Sequence, residues 1–309
     1  MPNQIEEKSA LDWSKIAYNY AKKGTNQKAV ECYEKAIEIN PLDINAWTNK
    51  GIVLLFLEEY QRAIDCFEWA IELDPNLGGI WFNLGTVYSK LRNPWKAIEY
   101  YREAVRIDPT NLNGWHNMGI EYSQQLHDFK NAIICFEKVV KIDPQKVMAW
   151  YDLGILCGKS EKFQQAVACF EKVIELDPQN IEMRIILAKS YDLLGNEQKF
   201  TENLIEILKL DPTNVEIQTE LGNGYGRMKN FQKAAETFEK IVDIDSNNTE
   251  AVGNLSYFYH RLHNLPKTME LVEKTLKNNP NDTLALLLFD EIKRKNRRKG
   301  VKRRANRDG

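Results

Sequence analysis

The sequence predicts an all-α chain: an α-solenoid of eight tandem helix pairs closed by a C-terminal capping helix. Three observations point there. A five-residue signature recurs as WTNKG (47–51), WFNLG (81–85), WHNMG (115–119) and WYDLG (150–154), at intervals of 34, 34 and 35. A second signature, INP, LDP, IDP, IDP, LDP, LDP, IDS, NNP, ends at Pro41, Pro75, Pro109, Pro144, Pro178, Pro212, Ser246 and Pro280, with one gap of 35 and the rest 34. Between these marks the apolar residues fall at helical spacing. Self-similarity at such a period is the mark of a stacked repeat.

The elements follow in order. Residues 1–9 are a polar lead-in. The pairs occupy 10–43, 44–77, 78–111, 112–146, 147–180, 181–214, 215–248 and 249–282. In the third, GIWFNLGTVYSKL places Trp81, Leu84, Gly85 and Tyr88 on one face, and WKAIEYYREAVRI places Ala97, Ile98, Tyr101, Ala104 and Val105 on another. Proline in the turn and after the second helix prevents either helix from continuing. Asp43, Asn111, Asn180, Asn214, Asn248 and Asp282 stand two residues past the junction Pro or Ser, as N-caps for the next helix; Leu77 and Lys146 are exceptions. A single pair buries too little apolar surface to offset its ordering entropy, so it must stack on a copy of itself. Gly85 and Ala97, nearly without side chains, let two helices approach. The extra residue of the fourth pair is expected near QLHDF, in its internal turn. TLALLLFDEIKRK (283–295) reads as the capping helix, because a solenoid end needs a polar outer face.

Composition narrows the function. The chain has 309 residues, 43% hydrophobic and 28% charged, as in a soluble globular protein. IVLLFL (52–57) and LALLLF (284–289) fall far short of the roughly 20 residues of a membrane span. The N-terminus lacks the pattern of a secretory signal. A cytoplasmic protein is expected, with a nuclear location open if the host has a nucleus. Cys32, Cys66, Cys135, Cys157 and Cys169 form no C-x-x-C pair; four of the five directly precede an aromatic residue, and packing in a reducing compartment explains them. There is no phosphate loop, G-x-S-x-G or H-E-x-x-H. His260 and His263 alone make a weak metal pair. No catalytic chemistry and no cofactor are expected.

The quoted residues resemble the tetratricopeptide repeat (TPR) pattern, W-x-x-L-G-x-x-Y followed by A-x-x-x-F, a small residue and Pro. The third pair matches as Trp81, Leu84, Gly85, Tyr88, Ala97, Tyr101, Ala104 and Pro109. The sixth departs most, with Arg184 in place of Trp and Phe200 in place of Ala97, which predicts local distortion or a hinge. The eighth is weak, with Thr268 and Thr275 at small positions. The resemblance implies a right-handed superhelix whose first helices line a concave groove. It then implies that Asn49, Asn83 and Asn117 stack as a ladder, with Asp152 at the same place in the fifth pair and Asn254 in the eighth. Such ladders, in the TPR part of O-linked N-acetylglucosamine transferase and in armadillo proteins, grip extended peptides by the main chain. An exposed Asn bonded only to water is the plainer alternative.

Helical spacing adds Thr48, Ile52, Phe56, Phe82, Thr86, His116, Ile120, Met148, Tyr151 and Ile155 to the groove, a mostly neutral surface. The alternative for the rings is packing between helices. A carboxylate clamp of the co-chaperone kind uses a Lys and an Asn four residues later in one first helix, flanking the motif glycine. Those places hold Thr48 and Ile52, Phe82 and Thr86, and Tyr151 and Ile155, and the seventh pair keeps Asn223 but has Thr219, so a clamp is not expected. The implied function is a scaffold or adaptor that holds an extended segment of a protein partner. The alternative is a nucleic-acid-associated factor. Lys293, Arg294, Lys295, Arg297, Arg298, Lys299, Lys302, Arg303, Arg304 and Arg307 give residues 293–309 a charge of +9, against −11 for the rest. This tail is expected to fray into disorder over 296–309 and to contact phosphates, or else simply to solubilise the chain.

Overall fold

The computed structural model describes residues 8–305, with side chains as far as Arg294. Among them are seventeen α-helices and no strand. The helices run α1 (Ala10–Lys22), α2 (Asn26–Ile39), α3 (Ile44–Phe56), α4 (Tyr60–Leu73), α5 (Gly78–Lys90), α6 (Pro94–Ile107), α7 (Leu112–Ile120), α8 (Phe129–Ile142) and α9 (Val147–Lys159). They continue as α10 (Phe163–Leu176), α11 (Ile181–Leu193), α12 (Glu197–Leu210), α13 (Val215–Arg227), α14 (Phe231–Ile244), α15 (Thr249–Arg261), α16 (Leu265–Asn278) and α17 (Thr283–Ala305). This is an all-α solenoid of tandem helix pairs. Two compact units divide between Lys162 and Phe163, so α1–α9 belong to the first and α10–α17 to the second. None of the helices is long and apolar enough to cross a membrane, among the described residues.

The junctions show why the chain breaks where it does. Asp43, Asn111, Asn180, Asn214 and Asn248 each accept a backbone N–H of the first turn they precede, and Asp282 accepts from Ala285 at 2.9 Å. Leu77 and Lys146 make no such bond. Within each pair, one residue of the turn has positive φ: Gly24, Glu58, Arg92, His127, Glu161, Gly195, Lys229 and His263. That left-handed residue reverses the chain in the space of a few residues.

The signature glycine is a matter of space. A Cβ on Gly85 would lie 2.7 Å from the Tyr101 ring and 3.2 Å from the Ala97 carbonyl oxygen. Gly51, Gly119 and Gly222 sit in the same way against Phe67, Phe136 and Phe238. The aromatic of the second helix thus lies flat on the first, and Phe67, Tyr101, Phe136 and Phe238 are buried. The signature tryptophan is only half-buried, because its indole N–H serves the backbone. Trp47, Trp81, Trp115 and Trp150 donate to the carbonyls of Pro41, Pro75, Pro109 and Pro144 at 2.8–3.1 Å.

All five cysteines are buried. Burial pushes the Cys66 thiol up to about 11 and that of Cys135 up to about 12, so neither forms a reactive thiolate near neutral pH.

Three expectations need correction. The sixth pair is not distorted: α11 and α12 are regular, and Arg184 donates to the Pro178 carbonyl through Nε and Nη2 at 3.1 and 2.9 Å, replacing the indole. The Phe200 ring fits because Gly224, on α13, stands against it with no side chain. The inserted residue of the fourth pair falls between Tyr122 and Asp128, and the first helix there ends in a π turn over Glu121–Gln125 instead of leading into a simple longer turn. The basic segment does not lose structure at residue 296. The backbone of α17 stays helical to Ala305, since Lys, Arg and Ala favour helix and no proline intervenes. Arg307 lies outside the described residues. Toward its start, α17 buries Ala285, Leu288 and Ile292 against the preceding pair, and Lys293 covers the Phe289 ring at 3.8 Å.

Candidate functional site

The predicted site residues sit on the first helices of successive pairs in the first unit: α3, α5, α7 and α9. Asn49, Asn83 and Asn117 occupy equivalent places and all are half-buried. The amides of Asn49 and Asn83 make no hydrogen bond among the described residues. Asn117 differs: its Nδ2 donates to the Tyr101 hydroxyl at 3.5 Å, and that hydroxyl donates to Thr86 Oγ1 at 3.4 Å. Thr86 in turn donates to the Phe82 carbonyl at 3.0 Å. Burial pushes the Tyr101 hydroxyl above its ordinary range. Asp152 holds the same place on α9, with Oδ2 3.5 Å from His116 Nε2.

An open groove of about 710 Å³ lies between α7 and α9. It brings together six predicted residues: His116 and Ile120 from α7, and Met148, Tyr151, Asp152 and Ile155 from α9. Asn49, Asn83, Asn117, Thr48, Ile52, Phe82 and Thr86 do not line it. Some of these are packing residues: Ile52 lies against the buried core of the first unit, and the Phe82 ring sits 5.7 Å from that of Tyr101. Phe56 and Met148 stay well exposed.

The sequence reading missed Ser123, Gln124, His127, Lys146 and Lys159, which complete the groove wall, and it missed Glu121. Glu121 is only 5% exposed and accepts a hydrogen bond from the Ser89 hydroxyl. Val53 and Val87 fill the corresponding place in the second and third pairs, so a carboxylate stands in a core position. The gap of 35 was the available signal. At the other end of the chain, His260 Nε2 lies 3.6 Å from Glu291. No group of three or more metal-ligating side chains occurs among the described residues.

Helix pairs in tandem, the motif glycines Gly51, Gly85, Gly119 and Gly222 each under an aromatic ring, and tryptophans tied to the junction prolines define a helical-repeat protein of the interaction-scaffold class. Models of the tetratricopeptide repeat match residues 17–55, 44–77, 80–111, 112–146, 147–180 and 215–248, more than half the sequence. The chain belongs to the tetratricopeptide repeat family. The matched stretches leave out 181–214 and 249–282, the two pairs that depart most from the pattern. No curated protein matches.

Among solved structures, one of Naa15/Naa10 bound to HypK-THB is similar with a TM-score of 0.59 and 13% identity, covering 89% of this chain and 43% of that one. A tetratricopeptide repeat protein from Parabacteroides merdae gives 0.51 and 19%, covering 82% and 99%. YrrB, described as a TPR protein with an unusual peptide-binding site, gives 0.50 and 22%, covering 61% and 96%. At these identities the likeness is one of fold.

Proposed function

We propose that the first unit is an adaptor surface that holds an extended segment of a partner protein along α3, α5, α7 and α9. The observation that carries this reading is the pair of amides at Asn49 and Asn83. They recur in register, are half-buried, and have no hydrogen-bond partner among the described residues. An amide offers two donors and an acceptor, which matches the alternating N–H and C=O of an extended peptide. Asn117 continues the row, steadied by Tyr101. Phe56 and Met148 supply exposed apolar surface for side chains of the bound segment. Net contributions of roughly 1 kcal/mol per hydrogen bond would set the affinity scale. The tetratricopeptide repeat fold is typically a non-enzymatic scaffold.

The test uses peptides enriched from a phage-displayed random library on the full chain. Asn49→Ala with Asn83→Ala should leave the melting temperature nearly unchanged and weaken the selected peptide about tenfold or more. N-methylation of the peptide backbone should weaken it similarly. Unchanged affinity in both experiments would remove the ladder.

A second reading is favoured by α17. Its helix continues from the packed Ala285–Ile292 stretch through a segment in which nine of the twelve residues 293–304 are Lys or Arg. It would present those charges to nucleic-acid phosphates, with an affinity that falls steeply as salt rises. Equal RNA and DNA binding by the full chain and by one ending at Ile292 would reject it.

A further inference from the structure

We propose that the groove between α7 and α9 selects a partner segment with a bulky apolar side chain flanked by acidic residues, and that the residue inserted into the fourth pair opens this groove. The proposal rests on the peptide-holding reading above and adds which side chains are chosen, and where.

The insertion can be located from the backbone. In the third and fifth pairs the turn closes with an N–H bonded to the carbonyl five residues back, as in Asn93 to Tyr88 and Lys162 to Cys157. In the fourth pair the corresponding bond joins Asp128 to Tyr122, six residues apart. The additional residue therefore lies between them, within or just after the π turn. Ser123 and Gln124 of that turn, with His127 after it, all line the groove. A π turn is a costly interruption of a helix and is often found at functional sites. Glu121, which opens it, adds the cost of a carboxylate in a place that holds Val53 and Val87 elsewhere. The π turn lies at the groove wall through Ser123 and Gln124, and Glu121, at its start, is buried against Ser89 and does not line the groove.

Charge indicates the occupant. The floor is apolar or aromatic, with Ile120, Phe136, Tyr151 and Ile155. The ionisable groups lining it are Lys146, Lys159, His116, His127 and Asp152, and the one carboxylate faces His116. Lys146 has no carboxylate partner among the described residues. Lys159 lies 5.8 Å above the Phe129 ring rather than against an acid. By contrast Lys50, Lys199 and Lys267 are each held by a glutamate. An apolar floor with unpaired cations at its rim complements an apolar residue between acids.

The experiment is a selection of random dodecapeptides on phage against the full chain, followed by titration of selected peptides against variants. Asp and Glu should be enriched beside Leu, Ile, Phe or Trp. Lys146→Glu with Lys159→Glu should weaken such a peptide about tenfold or more, with no loss of melting temperature, and should remove the salt dependence. Deletion of Gln124 should weaken it comparably while the melting temperature holds or rises. Glu121→Val, which restores the residue of the neighbouring pairs, should raise the melting temperature. A pool without acidic enrichment, or one rich in Lys and Arg, overturns the charge selection while leaving the peptide-holding reading intact. Full binding after deletion of Gln124 overturns the role of the insertion, as does a deletion that lowers the melting temperature. A selection that enriches no peptide overturns both the inference and the reading beneath it.

Discussion

The third helix pair writes the repeat in its fullest form, and the sixth departs from it most, yet both make the same backbone connections. Trp81 and Arg184 each donate to the carbonyl of the proline six residues back. Both pairs have regular helices of 13 and 14 residues. Between these two pairs the hydrogen-bond donor to the proline carbonyl is preserved although the residue type is not. The comparison also shows where compensation sits. The Phe200 ring, standing where Ala97 stands, is accommodated by Gly224 in the following pair. The register place of Gly224 is held by Val87 and Glu121 in the third and fourth pairs.

The largest expected effect breaks that compensation. Phe200→Ala empties a fully packed site and should cost about 3–5 kcal/mol of unfolding free energy. Gly224→Val alone should cost about 1–3 kcal/mol, since its first side-chain atom would meet Thr201 at 2.8 Å and the Phe200 ring at 3.1 Å. Made together, the two recreate the Ala63 and Val87 pairing seen between the second and third pairs. The double variant should then lose clearly less than the sum of the singles, a coupling that chemical denaturation of all four proteins would read. Additive losses would mean that the two positions do not compensate one another.

This arrangement explains which features were legible in the sequence. The period, the N-caps and the glycine under an aromatic ring are local, and each is written within one pair. Asp43 caps its helix whatever the rest of the chain does. The fit of Phe200 was illegible because its partner lies 24 residues on, in another pair, where Gly224 reads as one more glycine of ELGNGYGR. The insertion was visible as a gap of 35, but spacing alone cannot distinguish a longer turn from a π turn. The groove was half legible. His116, Ile120, Met148, Tyr151 and Ile155 followed from helical spacing and Asp152 from the ladder that the family resemblance implies, whereas Ser123, Gln124 and His127 belong to the segment that carries the insertion. Phe82 and Ile52, on the face with the right spacing, turned out to pack against the core.

The donor exchange gives a smaller effect. Arg184→Leu removes both N–H contacts to the Pro178 carbonyl and should cost about 1 kcal/mol. Arg184→Gln should cost less, because Gln218 makes the same bond to Pro212 at 2.8 Å in the seventh pair. Trp81→Phe should match the leucine variant, as it keeps most of the ring and loses the donor. Thermal melts of the three variants would rank them, and equal losses for leucine and glutamine at 184 would dismiss the donor as the preserved feature.

The turns sharpen the comparison further. Arg92 has φ of +56° in the third pair, and Gly195 has +68° at the same place in the sixth. A side chain in that region is strained, although glycine carries more entropy when unfolded. Arg92→Gly should therefore stabilise by about 0.5–1 kcal/mol, and Gly195→Ala should destabilise by a similar amount. Nothing lies within 4 Å of the added Cβ at Gly195, so the second change isolates backbone strain from packing.

The smallest expected effect concerns pH. In the sixth pair the Tyr191 hydroxyl and Lys199 both donate to Glu171, with Lys199 at 2.9 Å. In the third, Lys96 reaches Tyr88 at 3.4 Å with no carboxylate in the contact. The bond from Tyr191, followed by the Lys199 ammonium, holds the Glu171 carboxyl below the usual range. A depressed carboxyl contributes stability that is complete above its unfolded value, near 4.3 for Glu, and that is lost as pH falls through the folded value. Because these side chains are about half exposed, solvent screening reduces the contribution to a few tenths of a kcal/mol. Wild type should thus exceed Glu171→Gln slightly at pH 7, and the difference should vanish as the carboxyl is protonated below about pH 4. A difference at Glu171 that persists undiminished at pH 3 would attribute its role to packing of the side chain rather than to its charge.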